Sequence, residues 1–178
     1  VASAYDSWTQ DKLLERLWGE HIHLGFYPEF KKNIDFRKAK VQFVHELVKW
    51  SGLYKLPKGS RILDVGCGIG GSSRILAKYY GFNVTGITIS PAQVKRAREL
   101  TPSGLNCNFQ VMDALDLKFE DGSFDAVWSV EAGAHMNDKN KFADEMLRTL
   151  RPGGYLALAD WNSRDLKAYP PSFVERVV

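Results

Sequence analysis

A glycine-rich stretch at residues 61–76, RILDVGCGIGGSSRIL, constrains the fold of this chain more than any other part of its sequence. It begins with branched apolar residues, which are typical of a buried parallel strand, and it ends in a helical run that starts at Ser72. Four glycines lie within the six residues between them. Glycine accepts a positive φ and leaves no Cβ in the way of a ligand. The order of strand, glycine turn and helix therefore predicts an α/β sheet with a ligand site at this turn.

Two classes of ligand fit the glycine spacing, and the acidic residues around the turn favour one of them. The dinucleotide fingerprint needs an acid about 20 residues further on, at the end of the second strand, to bind the ribose. The second strand here ends with Thr88 and Ile89, without an acid. Asp64 instead precedes the glycines, where its charge would repel a pyrophosphate and suit an amine-bearing or cationic ligand. The pattern favours S-adenosylmethionine (SAM), which carries a sulfonium and an ammonium, over a nicotinamide dinucleotide.

Composition and charge narrow the classes of function. The length of 178 residues and the shares of apolar (44%) and charged (25%) residues are typical of one soluble globular domain. A formal net charge of +3 without runs of lysine or arginine argues against a nucleic-acid partner. Cys67 and Cys107 form no metal-ligand pattern, so we expect no metal. The sequence shows neither a signal peptide nor a membrane-spanning run, which predicts a protein that is not secreted.

Hydrophobic periodicity predicts strands that alternate with helices from residue 61 onward. Two helices come first, over 6–18 with a cap at Asp6 or Ser7, and over 37–52. Five strands are then predicted with helices between them, at 61–65, 83–89, 109–112, 124–130 and 155–159. Asn137 is the predicted cap of the last helix. The alternation predicts a mostly parallel, Rossmann-like sheet with right-handed crossovers and helices on both faces.

The motifs of the second half resemble those of class I SAM-dependent methyltransferases. Residues 64–70 are similar to the first motif of that family, and later motifs follow in the same order at 113–114, 124–127 and 150–154. Two longer segments, WGEHIHLGFY and SVEAGAHMNDK, resemble the tocopherol methyltransferase group. Within that group, the chain is similar to the cyanobacterial enzymes that methylate methyl-phytyl-benzoquinol or methyl-solanesyl-benzoquinol. The likeness runs from Tyr5 to Trp161.

The resemblance implies methyl transfer from SAM, with S-adenosylhomocysteine (SAH) as product, to a small aromatic acceptor. Ring C-methylation of a prenylated benzoquinol, as in tocopherol and plastoquinone synthesis, is the activity that we expect. N-methylation of an amine or alkaloid, and SAM binding without catalysis, stay open as alternatives. Such an acceptor places the protein in the cytoplasm or at a cyanobacterial or plastid membrane, with room for peripheral membrane contact. The oligomeric state stays open.

The resemblance also divides the chain into two parts. Residues 1–58 are expected to form a helical cap or lid, and residues 59–178 a SAM-binding Rossmann-like core. The sheet of this family has seven strands, whereas the sequence predicts five. We therefore expect the C-terminal strands of the usual seven to be absent from the chain.

Cofactor contacts are implied for residues that follow the first four strands. Asp64 would receive the amino group of SAM, although an acid here can also simply cap the turn. Gly66, Cys67 and Gly68 would bring the backbone close to the methionine part. The remaining contacts fall on Thr88, Ile89, Gln93, Asp113, Ala114 and Val130.

Two of those contacts have specific implied roles. Gln93 would bind the ribose hydroxyls in place of the usual acid, but it is also the third residue of a capping box that begins at Ser90. Asp113 would accept a hydrogen bond from the adenine amino group, beside a backbone contact from Ala114. Val130 would lie beside the sulfonium.

Three residues are candidates for catalysis. Glu131 and His135 follow the fourth strand directly, and ligands of open α/β sheets bind beyond the carboxyl ends of strands. A histidine with a pKa near neutrality suits removal of a phenolic proton. His23 belongs to an early irregular segment that the resemblance places over the methionine end of the cofactor, closer to it than His21. The alternative for both of these histidines is an exposed loop.

Aromatic residues are concentrated near the start of the chain. They are Trp8, Trp18, Phe26, Tyr27 and Phe30. Such residues suit a pocket for a prenylated ring or contact with a membrane surface. Core packing is the commoner cause of an aromatic stripe, and we prefer it for Trp18.

Overall fold

The computed structural model describes residues 2–28 and 34–161 of the chain. Five strands form one sheet in the order β3-β2-β1-β4-β5, and all neighbouring strands are parallel. The strands are β1 (Arg61–Val65), β2 (Asn83–Thr88), β3 (Cys107–Val111), β4 (Phe124–Val130) and β5 (Leu150–Ala159). The predicted parallel Rossmann-like sheet is confirmed, with all five predicted strands present. Residues after 161, where any further strand would follow, lie outside the described residues.

Helices cover both faces of this sheet. They are α1 (Ala2–Gln10), α2 (Leu13–Trp18), α3 (Phe36–Ser51), α4 (Gly71–Tyr80), α5 (Pro91–Leu100) and α6 (Lys139–Thr149). Side chains of β1 alternate between two apolar clusters, because successive strand residues point to opposite faces. Ile62 packs in the cluster that includes residues of α3 and α4, whereas Leu63 and Val65 pack with Phe142 of α6. No helix in the described residues is long and apolar enough to cross a bilayer.

The strand order creates a crevice at the carboxyl edge of the sheet. From β1 the chain continues to β2 on one side, and from β4 it continues to β5 on the other, although β1 and β4 are neighbours. The loops that follow β1 and β4 therefore diverge. Open α/β sheets bind ligands at such a switch point, so the topology gives the position of a site before any side chain is considered.

The N-terminal helix differs from its prediction. One helix over 6–18 was expected, but the chain forms α1 and α2 with a break at Lys12, whose φ of +51° is left-handed. Asp6 lies inside α1 and does not cap it. Its carboxylate accepts hydrogen bonds from the Ser90 hydroxyl and the Ala92 amide, and so it supports the start of α5. A local pattern cannot reveal this contact, because the two segments are 84 residues apart.

Two predictions near β5 also need correction. Asp138, and not Asn137, caps α6, since its carboxylate accepts a hydrogen bond from the Lys141 amide. β5 begins at Leu150 and not at Tyr155, because Leu150 pairs with Phe124 before an irregularity in the register. The Pro-Gly-Gly sequence therefore lies within this strand, at the irregularity in its register, and does not precede it.

Candidate active site

A cleft of about 500 Å³ lies at the switch point, between the carboxyl ends of the strands and the N-terminal segment. Every residue predicted from the sequence to bind cofactor or to act in catalysis lines this cleft: Asp64, Gly66, Cys67, Gly68, Thr88, Ile89, Gln93, Asp113, Ala114, Val130, Glu131, His135 and His23. Their individual roles stay predictions. Their convergence on one cavity means that a single ligand pair could contact all of them.

Asp64 lies at the floor of the cleft and is almost fully buried, with 2% of its surface exposed. Its Oδ2 accepts a hydrogen bond of 2.5 Å from the Ser73 hydroxyl of α4. Burial raises the pKa of this carboxyl to about 6, against the smaller opposing effect of Ser73. No described lysine or arginine forms an ion pair with it. A ligand ammonium would therefore be a favourable partner for Asp64.

Two glycines of the turn are needed for different physical reasons. Gly68 has a φ of +55°, and no atom lies within 4 Å of the position that a Cβ would take. Its bare backbone therefore faces open space at the cleft. A Cβ on Gly66 would come within 2.4 Å of the Cβ of Ala132, so this glycine allows the loop after β4 to pack closely. The sequence predicted ligand access for both, and the geometry gives Gly66 a packing role as well.

The residues after β2 form only half of the predicted capping box. The Ser90 hydroxyl accepts from the Gln93 amide at 3.1 Å, as expected for an N-cap. The Gln93 side chain does not return to the backbone of Ser90. Its Oε1 accepts from the Thr88 hydroxyl at 2.6 Å instead. Its oxygen is thus occupied, and its NH₂ group is the part left to donate to a ligand hydroxyl.

Asp113 follows β3, where an adenine ring was expected to bind. Its Oδ1 accepts from the Leu115 amide at 2.9 Å, which shapes its own loop. Asp116, by contrast, points to solvent and pairs with Lys118. Of these two acids, only Asp113 lines the cleft.

The loop after β4 carries the predicted catalytic pair. Glu131 has an unusual left-handed φ of +53°, and its Oε1 accepts from the Leu24 amide at 2.9 Å. His135 is exposed at the end of a 3₁₀ turn, and its ring and that of Tyr5 form a T-shaped pair with the centroids 5.9 Å apart. Partial burial raises the pKa of Tyr5. Tyr5 lines the cleft but was not predicted as a site residue, because no local motif links it to a loop so distant in the sequence.

Residues 19–28, which the resemblance places over the methionine end of the cofactor, are called the strap below, and four of them line the cleft. His21 and His23 are both buried in it, so the alternative of exposed loop histidines is wrong. His23 Nδ1 lies 2.7 Å from the Leu24 carbonyl oxygen, and His23 Nε2 lies 3.0 Å from His21 Nδ1. With both ring nitrogens engaged, His23 has none free to take a substrate proton. These contacts do not support His23 as a base, and it holds the strap.

Helix α3 anchors the strap from below. The buried Lys40 ammonium donates to the carbonyls of Trp18 and His21, the latter at 2.8 Å. The Phe26 amide donates to the Ala39 carbonyl at 2.9 Å. Burial and the nearby cations lower the pKa of His21 to about 3, so this imidazole is neutral at physiological pH.

Polar contacts also hold α2 and the strap against the core. Arg96 of α5 binds both carboxylate oxygens of Glu15, at 2.6 and 2.8 Å. Arg74 of α4 pairs with Glu20 at 2.6 Å. Several large apolar side chains of residues 2–28 are exposed, and they include Trp8, Trp18, Phe26 and Tyr27. The expectation that Trp18 packs in the core is therefore wrong, and Phe30 lies outside the described residues.

The matching family model decides the family of this chain. Residues 63–158, from β1 to β5, match the model described as a methyltransferase domain. The chain belongs to this SAM-dependent methyltransferase family. The matched region contains most of the cleft but not the strap or the first two helices.

Curated relatives extend the likeness to the N-terminal segment. The whole chain is 61% identical to the 2-methyl-6-phytyl-1,4-hydroquinone methyltransferase of Synechocystis sp. and covers 56% of it. It is 43% identical over 166 residues to the chloroplastic tocopherol O-methyltransferase of Arabidopsis thaliana, with 88% of the chain and 48% of that protein covered. Norajmaline N-methyltransferase of Rauvolfia serpentina is 36% identical over 173 residues (93% and 59%). The chain spans about half the length of these relatives.

Solved structures agree on the fold. The [4+2]-cyclase SpnF has a TM-score of 0.78 at 30% identity, with 87% of this chain and 57% of that chain covered. Phosphoethanolamine N-methyltransferase 2 of Haemonchus contortus, solved with SAM, has a TM-score of 0.66 at 27% identity (85% and 32%). The same fold thus serves a methyltransferase and a cyclase.

Proposed function

We propose that the whole protein transfers a methyl group from SAM to a ring carbon of a prenylated hydroquinone. The observation that carries this proposal is the 61% identity, over all 178 residues, to a methyltransferase named for a phytyl-hydroquinone. The likeness includes the strap and the loop after β4, which this proposal puts beside the acceptor. The substrate is inferred from this likeness.

The residues of the cleft fit SAM. When bound, SAM supplies an electrophilic methyl group on a sulfonium. Asp64 offers a buried carboxylate to the ammonium, and the open backbone at Gly68 leaves room beside it. Gln93 offers donors to the ribose and Asp113 a carboxylate oxygen to the adenine amino group. A dinucleotide fits less well, because a buried carboxylate would face its pyrophosphate.

His135 is our proposed general base. Its exposed ring sits at the mouth of the cleft against Tyr5, where it could accept a phenolic proton from the acceptor. Loss of that proton raises electron density at the ring carbons ortho and para to the oxygen, which prepares one of them to attack the methyl group. Glu131 supports the same loop and fastens the strap through Leu24. General-base help of this kind contributes about 10²–10⁴-fold to rate, and positioning of the two reactants contributes more.

Residues 1–58 and 59–178 are proposed to act as the cap and the core, as the resemblance implied, and residues 2–28 of the cap are called the cover below. The exposed aromatic residues of the cover would meet a prenyl tail or the membrane surface that holds it. A cyanobacterial relative and a chloroplast relative support a cyanobacterial or plastid setting. Binding of the protein to vesicles with and without the prenylated acceptor tests the membrane contact.

A transfer assay with labelled SAM tests the proposed reaction. The whole protein is incubated with 2-methyl-6-phytylhydroquinone, and the product is analysed for label on a ring carbon. In His135→Gln, we expect kcat to fall about 100-fold while SAH affinity stays unchanged. Unchanged turnover at saturating acceptor would remove His135 from the mechanism, and label on oxygen would exclude C-methylation.

Two alternatives have specific support. The relative from Rauvolfia is an N-methyltransferase, and an amine acceptor needs no strong base because it already has a lone pair. The cyclase SpnF shows that the fold also supports chemistry of another kind. Transfer of label to amines but not to phenols would favour the first. Tight SAM binding without transfer to either acceptor would favour a non-methylating role.

A further inference from the structure

Trp128 lines the cleft and carries a buried hydrogen-bond donor without an acceptor in the described part of the chain. This residue of β4 is fully buried, packs with the apolar cluster under α3 and α4, and also lines the cleft. Its indole Nε1 has no acceptor among the residues that the structure describes. A buried donor without an acceptor is unfavourable, and such groups are rare in folded proteins. An acceptor carried by whatever fills the cleft would satisfy it.

The position of Trp128 relates this donor to Asp64. The two residues are partners in the register of β1 and β4, so their side chains leave the same face of the sheet on adjacent strands. The cluster that contains Trp128 also includes Phe43, whose ring lies 5.2 Å from that of His23. These contacts connect the indole, the Asp64 carboxylate and the histidine pair of the strap, and all of these residues line the cleft.

The hydrogen bonds of the strap fix which nitrogen of His21 is bare. A carbonyl oxygen can only accept, so His23 carries its proton on Nδ1, which faces the Leu24 carbonyl. The neutral His23 then accepts at Nε2 from the Nδ1–H of His21. This leaves His21 with an unprotonated Nε2. Since His21 is held neutral beside Lys40 and Arg74, its Nε2 is an acceptor and a poor base.

The cations near this end of the cleft are already engaged. Arg74 donates to the Ile69 carbonyl and to Glu20, and Lys40 donates to two carbonyls of the N-terminal segment. An amino-acid carboxylate bound here would therefore meet no free guanidinium or ammonium among the described residues. Among the described residues, the indole N–H is the buried side-chain donor that has no acceptor.

We propose that Trp128 and His21 bind the amino-acid head of SAM, the indole N–H donating to its carboxylate and His21 Nε2 accepting from its ammonium. The proposal rests on SAM as the cofactor and adds the residues that recognise one end of it. The two residues cannot exchange these roles. An indole N–H cannot accept a hydrogen bond from the ammonium, and the unprotonated Nε2 of His21 has no proton to donate to the carboxylate. The ammonium has three N–H donors, so Asp64 and His21 can both accept from it.

Two ligands separate this role from a structural one. SAH carries the amino-acid head, whereas 5′-methylthioadenosine has the same adenosine and thioether without it. Calorimetry on the whole protein is expected to give Trp128→Phe an affinity for SAH that is lower by about tenfold, because a hydrogen bond to a charged group is lost. Its affinity for methylthioadenosine should be unchanged. Trp50→Phe, at an exposed tryptophan away from the cleft, is the matched control and should bind both ligands normally.

The His21 variants test the acceptor separately. His21→Asn can still donate toward His23 but has no acceptor at the position of Nε2, and we expect about tenfold weaker SAH binding with methylthioadenosine unaffected. His21→Gln can place its side-chain oxygen near the position of Nε2 and should recover most of the SAH affinity. Equal losses for both ligands in these variants would show that the pair only supports the fold, and would overturn the proposal.

A measurement on the wild-type protein covers the case in which Trp128→Phe does not fold. The indole N–H proton resonance of Trp128 should move downfield on addition of SAH and not on addition of methylthioadenosine. The proposal is overturned if the chemical shift of the indole proton does not change on addition of SAH, or if the Trp128→Phe variant binds SAH with normal affinity. If the wild-type protein binds neither methylthioadenosine nor SAH, SAM is the wrong cofactor. That result contradicts the proposed function and is distinguishable from a failure of this proposal alone.

Discussion

The two walls of the cleft are held in different ways. The core wall, from β1 to α4, is built on apolar side chains such as Val65 and Leu76 that have no exposed surface. The cover, residues 2–28, is fastened by polar contacts, including the Glu15–Arg96 and Glu20–Arg74 ion pairs. Its tryptophans remain about half exposed. We infer that the core determines where a ligand binds, and that the cover can open while the core stays folded.

Alanine substitutions at two glycines should distinguish the stability of the core wall from that of the cover most strongly. In Gly66→Ala, a Cβ 2.4 Å from that of Ala132 and a left-handed φ should lower the free energy of unfolding by about 3 kcal/mol. In Gly71→Ala, the Cβ would meet the Glu20 carbonyl at 2.5 Å, which belongs to the cover. We expect its global stability to stay within about 1 kcal/mol, while proteolysis near residues 11–28 becomes faster. Equal loss of stability in chemical denaturation would show that core and cover unfold as one unit.

Burial of the Asp64 carboxylate should lower the stability of the core wall at neutral and high pH. Its pKa, raised to about 6 by burial, means that the folded state prefers the neutral acid, so stability is highest at low pH and falls as pH rises through 6. Asp64→Asn removes this penalty and should be more stable than the wild type by about 1–3 kcal/mol at pH 8, but not at pH 4. SAH affinity should fall at the same time. A variant less stable at both pH values would mean that the carboxylate is needed for folding.

The cover should loosen in acid through His21. Its folded pKa of about 3 lies below the ordinary value of 6.5, so docking of the strap is fully stable above pH 6.5 and weakens as pH falls toward 3. At pH 5 the loss should be about 2 kcal/mol. Hydrogen exchange, corrected for its intrinsic pH dependence, should show lost protection in residues 19–28 before β1. Simultaneous loss in both segments would argue against a separate cover.

The Glu15–Arg96 pair is expected to have the smallest effect. Both side chains are partly exposed, and ion pairs of this kind contribute about 0.5–1 kcal/mol. Glu15→Gln should increase exchange in α2 and leave the melting temperature nearly unchanged. Exchanging the charges, with Glu15→Arg and Arg96→Glu together, should restore protection. Failure of that rescue would assign the effect to packing of the arginine.

The same contrast explains what the sequence could reveal. The core wall was predictable because its signals are local: apolar alternation in β1, glycines at the turn and Ser90 at the start of α5. The cover depends on contacts between distant residues, such as Asp6 with Ser90 and Glu131 with Leu24. No periodic pattern in the sequence predicts that the Leu24 amide will bind a carboxylate 107 residues away. Its residues could be placed over the cleft only through the family resemblance.

Within the site, side-chain pairing was harder to predict than location. His23 was chosen over His21 because the resemblance placed it closer to the cofactor. The tautomers that distinguish them follow from hydrogen bonds that only the folded strap forms. Trp128 was read as part of an apolar strand, since its unpaired donor becomes visible only once its neighbours are known.

A crystal structure of the whole protein with SAH tests the central claim most directly. The account predicts density in the cleft, with adenine beside Asp113, ribose beside Gln93 and the amino-acid head beneath the strap. The core should superpose on the ligand-free chain, and any shift should be confined to the cover. Density for SAH outside this cleft, or a site that binds NADH and not SAH, would contradict it.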